Sequence, residues 1–206
     1  MTDAIDYYFT AISPWVYLGH RSLMAMAGKH SVPVNFRPVI LGNLWEHSGS
    51  VPLGQRSEMR QRYRFVELQR YGEFRGERVN LKPAFFPTDP GLADRCAAAI
   101  VIEGGDPSGF VYAACRAVWA MEENIAEEET IMQLLAAEGH DAGAVLEASA
   151  RPDVAAMLEA NSKAANAADA IGVPAYVYKG ETFWGQDRLD VLEAMIVSGR
   201  PAYHTV

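Results

Sequence analysis

The first side chain placed for chemistry is a serine. Ser13 and Pro14 stand where the run Asp6-Tyr7-Tyr8-Phe9-Thr10-Ala11-Ile12 meets an amphipathic one, Trp15 to Lys29, whose apolar residues fall at Trp15, Leu18, Leu23, Met26 and Ala27. The first run is aromatic and β-branched and reads as a strand; the second has helix periodicity. Ser followed by Pro is a helix start, because serine caps free N–H groups and Pro lacks the N–H that a first turn cannot use. Ser13 therefore reads as an N-cap. The same hydroxyl also sits beside unpaired N–H groups at the positive end of a helix dipole. No histidine–acid pair is evident to make it a nucleophile, so its chemistry would be that of a hydrogen-bond donor.

A second group of candidates is basic. From Gln55 to about Tyr71 the chain reads as a helix carrying Arg56, Arg60, Arg62, Arg64 and Arg70, and Arg75, Arg78 and Lys82 follow. Most of these suit a solvated face paired with Glu58, Glu67 and Glu73. One or two could instead face a cleft and hold an anionic substrate, since arginine matches carboxylate geometry. The two cysteines, Cys96 and Cys115, form no C-x-x-C pair and read as reduced, buried helix residues. The five histidines have no ligand spacing, so no metal site is expected.

The chain of 206 residues is half hydrophobic, enough for one domain or one domain with a large insertion. Its net charge of −8 argues against nucleic acid as the main partner, because phosphate binding needs a basic face. No run of about 18 apolar residues predicts a membrane span. No charged-then-apolar leader precedes the first strand, so secretion is not indicated and a cytoplasmic location is expected.

The elements that must position these residues follow in order. Val32 to Leu41 predicts a second strand, parallel to the first because a helix lies between them. Gly42 to Gly54, with Trp45 and His47, predicts a loop with room for one helical turn, near the carboxyl ends of the strands where α/β folds bind ligands. After the basic helix, Val79 to Gly91 holds three prolines and reads as an ordered loop whose Phe85 and Phe86 could wall a pocket or fill the core. Helices are predicted over Leu92–Gly104, Phe110–Asn124, Thr130–Glu138, Ala142–Ala150 and Pro152–Ile171. The glutamates from Glu122 to Glu129 suit a solvated helix end. Gly172-Val173-Pro174 then leads into a strand, Ala175 to Tyr178. Lys179-Gly180 turns the chain into an antiparallel strand, Glu181 to Trp184. Gly185-Gln186-Asp187 caps a closing helix, Arg188 to Val197.

An opening strand–Ser-Pro–helix unit joined to a closing Gly-Val-Pro–strand–turn–strand–Gly-x-Asp-Arg-Leu–helix unit resembles the thioredoxin-like fold. Within it the chain is similar to kappa-class glutathione transferases and 2-hydroxychromene-2-carboxylate isomerases, relatives of DsbA, over nearly its whole length. The resemblance implies an α/β, thioredoxin-like domain (1–54 plus 151–206) interrupted by an all-helical insertion (55–150). It implies glutathione as cofactor, a small aromatic carboxylate as substrate, and a homodimer. Pro174 would be cis, leaving the backbone N–H and C=O of Val173 facing the cleft beside Ser13, where an extended peptide pairs as an added strand. Glutathione is such a peptide. Gln186 and the helix N–H groups would hold its α-carboxylate and Asp187 its amine, although Asp187 also suits a simple cap. The implied contacts are Ser13, Pro14, Trp15, Ser50, Val173, Pro174, Gln186, Asp187, Arg188 and Leu189. Gln186 stands where the kappa pattern has serine, and Ser50 where it has asparagine.

On the substrate side the family's Lys-x-x-Tyr is best matched by Arg60-Gln61-Arg62-Tyr63. Arg60 would then hold the substrate carboxylate while Trp15, Trp45 and Phe85 form a flat apolar wall. A free thiol with a pKa of ~8.5 is about 3 % ionised at neutral pH. Lowering that pKa by two pH units needs roughly 2.7 kcal/mol. A helix N-terminus supplies ~0.3–2 kcal/mol and a hydrogen bond to a charged group ~1.5–3 kcal/mol, so Ser13 and its helix would suffice together. The implied reaction is glutathione-dependent cis–trans isomerisation giving trans-o-hydroxybenzylidenepyruvate. A kappa-class transferase or peroxidase, and a non-catalytic thioredoxin-like module that holds extended peptides, are the alternatives. The short tail and Trp184-Gly185-x-Asp187-Arg188-Leu189 favour the isomerase.

Overall fold

The computed structural model describes residues 3–204. Its central strand, β1 (Ile5–Phe9), is aromatic on both faces because both are covered: Ile5, Tyr7 and Phe9 are fully buried and Tyr8 nearly so. Helix α1 (Pro14–His30) follows, started by Ser13 and Pro14 as the sequence predicts and closed by Ser31 in the left-handed conformation. It leads to β2 (Val34–Pro38), which pairs parallel to β1 with Tyr7 opposite Phe36. Far along the chain, β3 (Ala175–Tyr178) adds antiparallel to the other side of β1, setting Tyr176 opposite Tyr7 with the rings stacked 5.5 Å apart. β4 (Glu181–Trp184) turns back along β3 through Lys179 and Gly180, both at positive φ. Among the described residues the sheet order is β2-β1-β3-β4. This mixed sheet with helices is the α/β, thioredoxin-like arrangement with a helical insertion that the motifs predict.

Two readings of the second-strand region need correction. β2 stops at Pro38, and the predicted loop holds a two-turn helix, α2 (Leu41–Ser48), closed by Gly49 at φ 69°. Its local signal is weak, with no side-chain cap. Tertiary packing supplies the reason it forms: Leu44 is fully buried, and Asn43 meets Glu159 and Asn166 of a later helix.

The helical layer runs α3 (Glu58–Arg75), α4 (Gly91–Ile102), α5 (Ser108–Arg116), α6 (Glu128–Ala137) and α7 (Ala142–Ser149), and α8 (Pro152–Ala167) returns to the sheet. α5 continues into a π-helical turn, Ala117–Met121, which seats Trp119 in full burial. The turn Gln186–Arg188 precedes the closing helix α9 (Leu189–Ser198). We propose residues 55–150 as the insertion. Its buried residues Phe110, Trp119 and Ile131 belong to the same apolar cluster as Ile5, Phe9 and Tyr176, so the insertion packs directly on the sheet.

Candidate active site

The site is built on the four residues between β1 and α1, the first three of them held from outside. Asp94 of α4 accepts hydrogen bonds from the Thr10 hydroxyl at 2.5 Å and the Ala11 amide at 2.8 Å. The Trp119 indole donates to the Ile12 carbonyl at 3.1 Å, and the Ser13 amide closes the turn on the Thr10 carbonyl at 3.1 Å. Burial pushes the Asp94 carboxyl up to about 7 against the two hydrogen bonds it accepts, which pull the other way.

Ser13 is nearly buried, and its Oγ accepts from the Val16 amide at 3.4 Å. It is thus the N-cap, and because it accepts there its own proton stays available to donate. Pro14 has no N–H, and the Trp15 amide meets no acceptor among the described residues. One hydroxyl and one amide are therefore left as donors at the positive end of a 17-residue helix.

Facing this end is the approach to β3. The Val173–Pro174 peptide is cis, and the Val173 amide and carbonyl have no hydrogen-bond partner among the described residues. The Pro174 carbonyl accepts from the Gly185 amide at 2.9 Å, which ties the proline to the turn that starts α9. Gly185 sits at φ 107°, and a Cβ there would run into the Asp187 carboxylate, so only glycine suits the position. Gln186 is buried, and Arg75 of α3 fixes it by donating to its Oε1 and its backbone carbonyl, both at 3.0 Å. Asp187 is exposed and pairs with Arg188 at 2.8 Å.

These walls enclose a cavity of about 1060 Å³. Of the residues that the sequence nominates, Ser13, Pro14, Trp15, Trp45, Ser50, Arg60, Val173, Gln186, Asp187 and Arg188 line it. Pro174 and Leu189 lie buried behind its wall rather than on it. Ser50 donates to the Ile171 carbonyl at 3.4 Å. Phe85 points to solvent, 43 % exposed, and its neighbour Phe86 takes the wall position by packing on Trp119 at 4.8 Å between ring centroids.

Sequence reasoning passed over Tyr71, Arg64 and Trp184, which also line the cavity. Tyr71 meets Trp15 edge to face at 6.4 Å. Arg64 had a readable signal. Arg56, Arg60 and Arg64 are spaced by four with no acid among them, whereas Arg62 pairs with Glu58 and Arg70 with Glu67. The row Arg56, Arg60 and Arg64 faces the cavity, whose wall Glu67 joins one turn further on, and the paired Arg62 and Arg70 sit at the surface. Both cysteines are free, fully buried on α4 and α5, and outside the cavity wall; burial pushes the Cys96 thiol up to about 11 and Cys115 higher than its ordinary value.

Gly19 of α1 lets the Gln186 turn approach, since a Cβ built on it would lie 2.6 Å from Gln186 Cβ and 3.1 Å from the Tyr176 hydroxyl. Gly19→Ala is therefore expected to lower stability by about 1–3 kcal/mol through overpacking and to displace the turn carrying Asp187. Urea denaturation checks the first effect; an unchanged midpoint would show that the turn yields freely.

A mixed sheet with a serine-capped helix opposite a cis-proline strand, and no cysteine in the cleft, defines a thioredoxin-like protein without a dithiol. Residues 4–197 match the family model described as a DSBA-like thioredoxin domain, and the chain belongs to that family. It is 25 % identical over 199 residues to a 2-hydroxychromene-2-carboxylate isomerase of Sphingobium xenophagum, covering 96 % of this chain and all of that one. It is also 25 % identical over 195 residues to the Pseudomonas putida isomerase of the same name, covering 92 % of each. Among solved structures, a 2-hydroxychromene-2-carboxylate isomerase superposes with a TM-score of 0.79 at 22 % identity over 95 % of both chains. The cytosolic disulfide reductase DsbM of Pseudomonas aeruginosa, determined with GSH, superposes at 0.70 and 16 % identity over 95 % of this chain and 98 % of that one. Among the described residues no helix is long and apolar enough to cross a membrane.

Proposed function

We propose that the cavity holds glutathione and an aromatic carboxylate together and that the protein is a glutathione-dependent cis–trans isomerase of the 2-hydroxychromene-2-carboxylate type. The observation that carries the proposal is the set of groups with unused hydrogen-bonding capacity among the described residues that converge on one cavity: the Ser13 O–H as donor, the Trp15 amide, and the amide and carbonyl of Val173. They match a short peptide bearing an ionisable thiol, with strand pairing at Val173 and two donors for the sulfur. The names of the two curated relatives and the GSH-bound DsbM support the reading.

Bound there, glutathione would supply an ionisable thiol as a reversible nucleophile toward a conjugated double bond, a role in which it is not consumed. The chain's own residues do the rest. Ser13 and the start of α1 favour the charged sulfur. Asp187 offers a carboxylate to the peptide's amine at the opposite end, shared with Arg188. Gln186 keeps its place because Arg75 holds it. Trp15, Trp45, Tyr71 and Phe86 present aromatic surface that excludes water around a flat ring.

Calorimetric titration with glutathione at neutral pH tests the proposal. Binding by the wild type, weakened about tenfold by Asp187→Ala, is expected from the loss of one exposed charge-assisted hydrogen bond. A wild type that takes up no heat at millimolar glutathione would remove the enzyme reading and leave a peptide-holding module.

A further inference from the structure

Arg64 is the most deeply set arginine of the cavity wall. Its guanidinium lies 5.4 Å from the Trp119 ring centroid and 5.5 Å from that of Phe86. No carboxylate among the described residues pairs with its side chain and the guanidinium makes no hydrogen bond there; Arg56 and Arg60 of the same wall also lack an acid partner, but Arg60 is exposed and Arg56 donates to the Val51 carbonyl, so only Arg64 combines burial with unmet donors. Burial, with help from Arg56, pushes Arg64 down to about 10, so it still carries its charge at neutral pH. A cation withdrawn from water without a counter-ion is costly to keep. Two ring contacts orient it but leave its five donors unsatisfied. Trp119 also holds the Ile12 carbonyl, so the guanidinium stands one side chain away from the turn that carries Ser13.

We infer that Arg64 is the specificity-determining residue of the site, a preoriented fork that takes the carboxylate of a flat aromatic acid at the inner end of the cavity. Arg60, one turn earlier and exposed, stands at the mouth instead. An acid bound by Arg64 puts its carboxylate beside Phe86 and its conjugated carbons toward Ser13. A ligand bound by Arg60 leaves that inner space empty. Planar, bidentate pairing also predicts that lysine is a poor substitute, because it loses both the fork and the stacking on two rings.

This inference rests on the proposed function for its second ligand, glutathione, and the test separates the two. Cinnamate and its neutral carboxamide are titrated into the wild type, Arg64→Gln, Arg64→Lys and Arg60→Gln, with and without saturating glutathione. The wild type and Arg60→Gln are expected to prefer the carboxylate on the order of 10–100-fold. Arg64→Gln is expected to bind both compounds alike, and Arg64→Lys to keep only part of the preference. Glutathione affinity should be unchanged in all four. A preference that survives in Arg64→Gln, or disappears in Arg60→Gln, overturns the assignment, as does a wild type blind to cinnamate in both arms. Failure of glutathione to bind strikes the proposed function alone, and the titrations without it still decide the role of Arg64.

Discussion

Replacing Ser13 by alanine is expected to raise the pKa of the bound thiol by about one to two pH units and to slow thiol-dependent isomerisation at neutral pH about 10–100-fold. The lost element is one hydrogen bond to a charged sulfur, worth ~1.5–3 kcal/mol. The N-terminus of α1 and the free Trp15 amide survive the substitution, so the variant's thiol should still ionise below the ~8.5 of a free thiol. Ser13 is also the N-cap of α1, and its loss should cost about 1 kcal/mol of stability. Ser13→Thr separates the two roles. It restores both cap and hydroxyl, so it should recover most of the stability and part of the lowered thiol pKa. Thiolate absorbance followed against pH on the glutathione complex is the measurement; superimposed wild-type and alanine curves would reduce Ser13 to a cap.

Several parts of this site were legible because their signals are local. Ser13-Pro14 specifies a helix start from two residues, Lys179-Gly180 specifies the turn between β3 and β4, and both strands fall at their predicted bounds. What escaped was set by contacts distant in sequence. α2 forms because Leu44 finds a buried place and Asn43 finds α8. Phe85 and Phe86 are adjacent and chemically alike; only the position of Trp119, 33 residues further on, decides which one faces the cavity. The arginine row shows the division within a single helix. Its acid-free spacing was present in the sequence, but which side of α3 meets the cavity is fixed by how α3 docks on α1 and on the Gln186 turn. Asp94 carried no readable signal, since an aspartate in an alanine-rich helix gives no hint that it will clamp Thr10 and Ala11 more than 80 residues away.

Asp94 and His20 together should make the wild type's stability nearly insensitive to pH between about 4 and 6.5 with respect to these two groups, and single replacements should expose the opposing slopes. His20 lies 2 % exposed among the rings of Tyr7, Phe36 and Tyr112, with Nε2 lacking a hydrogen-bond partner among the described residues. Burial pushes its pKa from 6.5 down to about 4, against smaller contributions from the Ser108 backbone and Asp106. Over that window the unfolded chain binds a proton that the native state does not, so stability is lost as pH falls. Asp94 acts in the opposite sense. Its native pKa of about 7 exceeds its ordinary 3.8, so the native state keeps a proton that the unfolded chain has released, and stability is lost as pH rises from near 4 through 7. Each slope approaches ~1.4 kcal/mol per pH unit. Asp94→Asn removes the titration while leaving an oxygen for the Ala11 amide and an N–H₂ for the Thr10 oxygen, whose hydroxyl can accept as readily as it donates. Its stability relative to wild type should therefore rise by roughly 4 kcal/mol from pH 4 to pH 8, and in isolation it should show the slope of His20. His20→Phe should show the reverse, weakening with pH over the same window. Urea denaturation of the three proteins at pH 4.5, 5.5, 6.5 and 7.5 reads both slopes as differences from wild type, in which the exposed carboxylates common to all three cancel. Parallel wild-type and Asp94→Asn curves would mean that the Asp94 carboxylate is already charged at pH 5. The turn bearing Ser13 would then be held by a buried anion that repels the thiolate forming beside it, instead of by a clamp that is neutral below about pH 7 and there leaves the helix dipole unopposed.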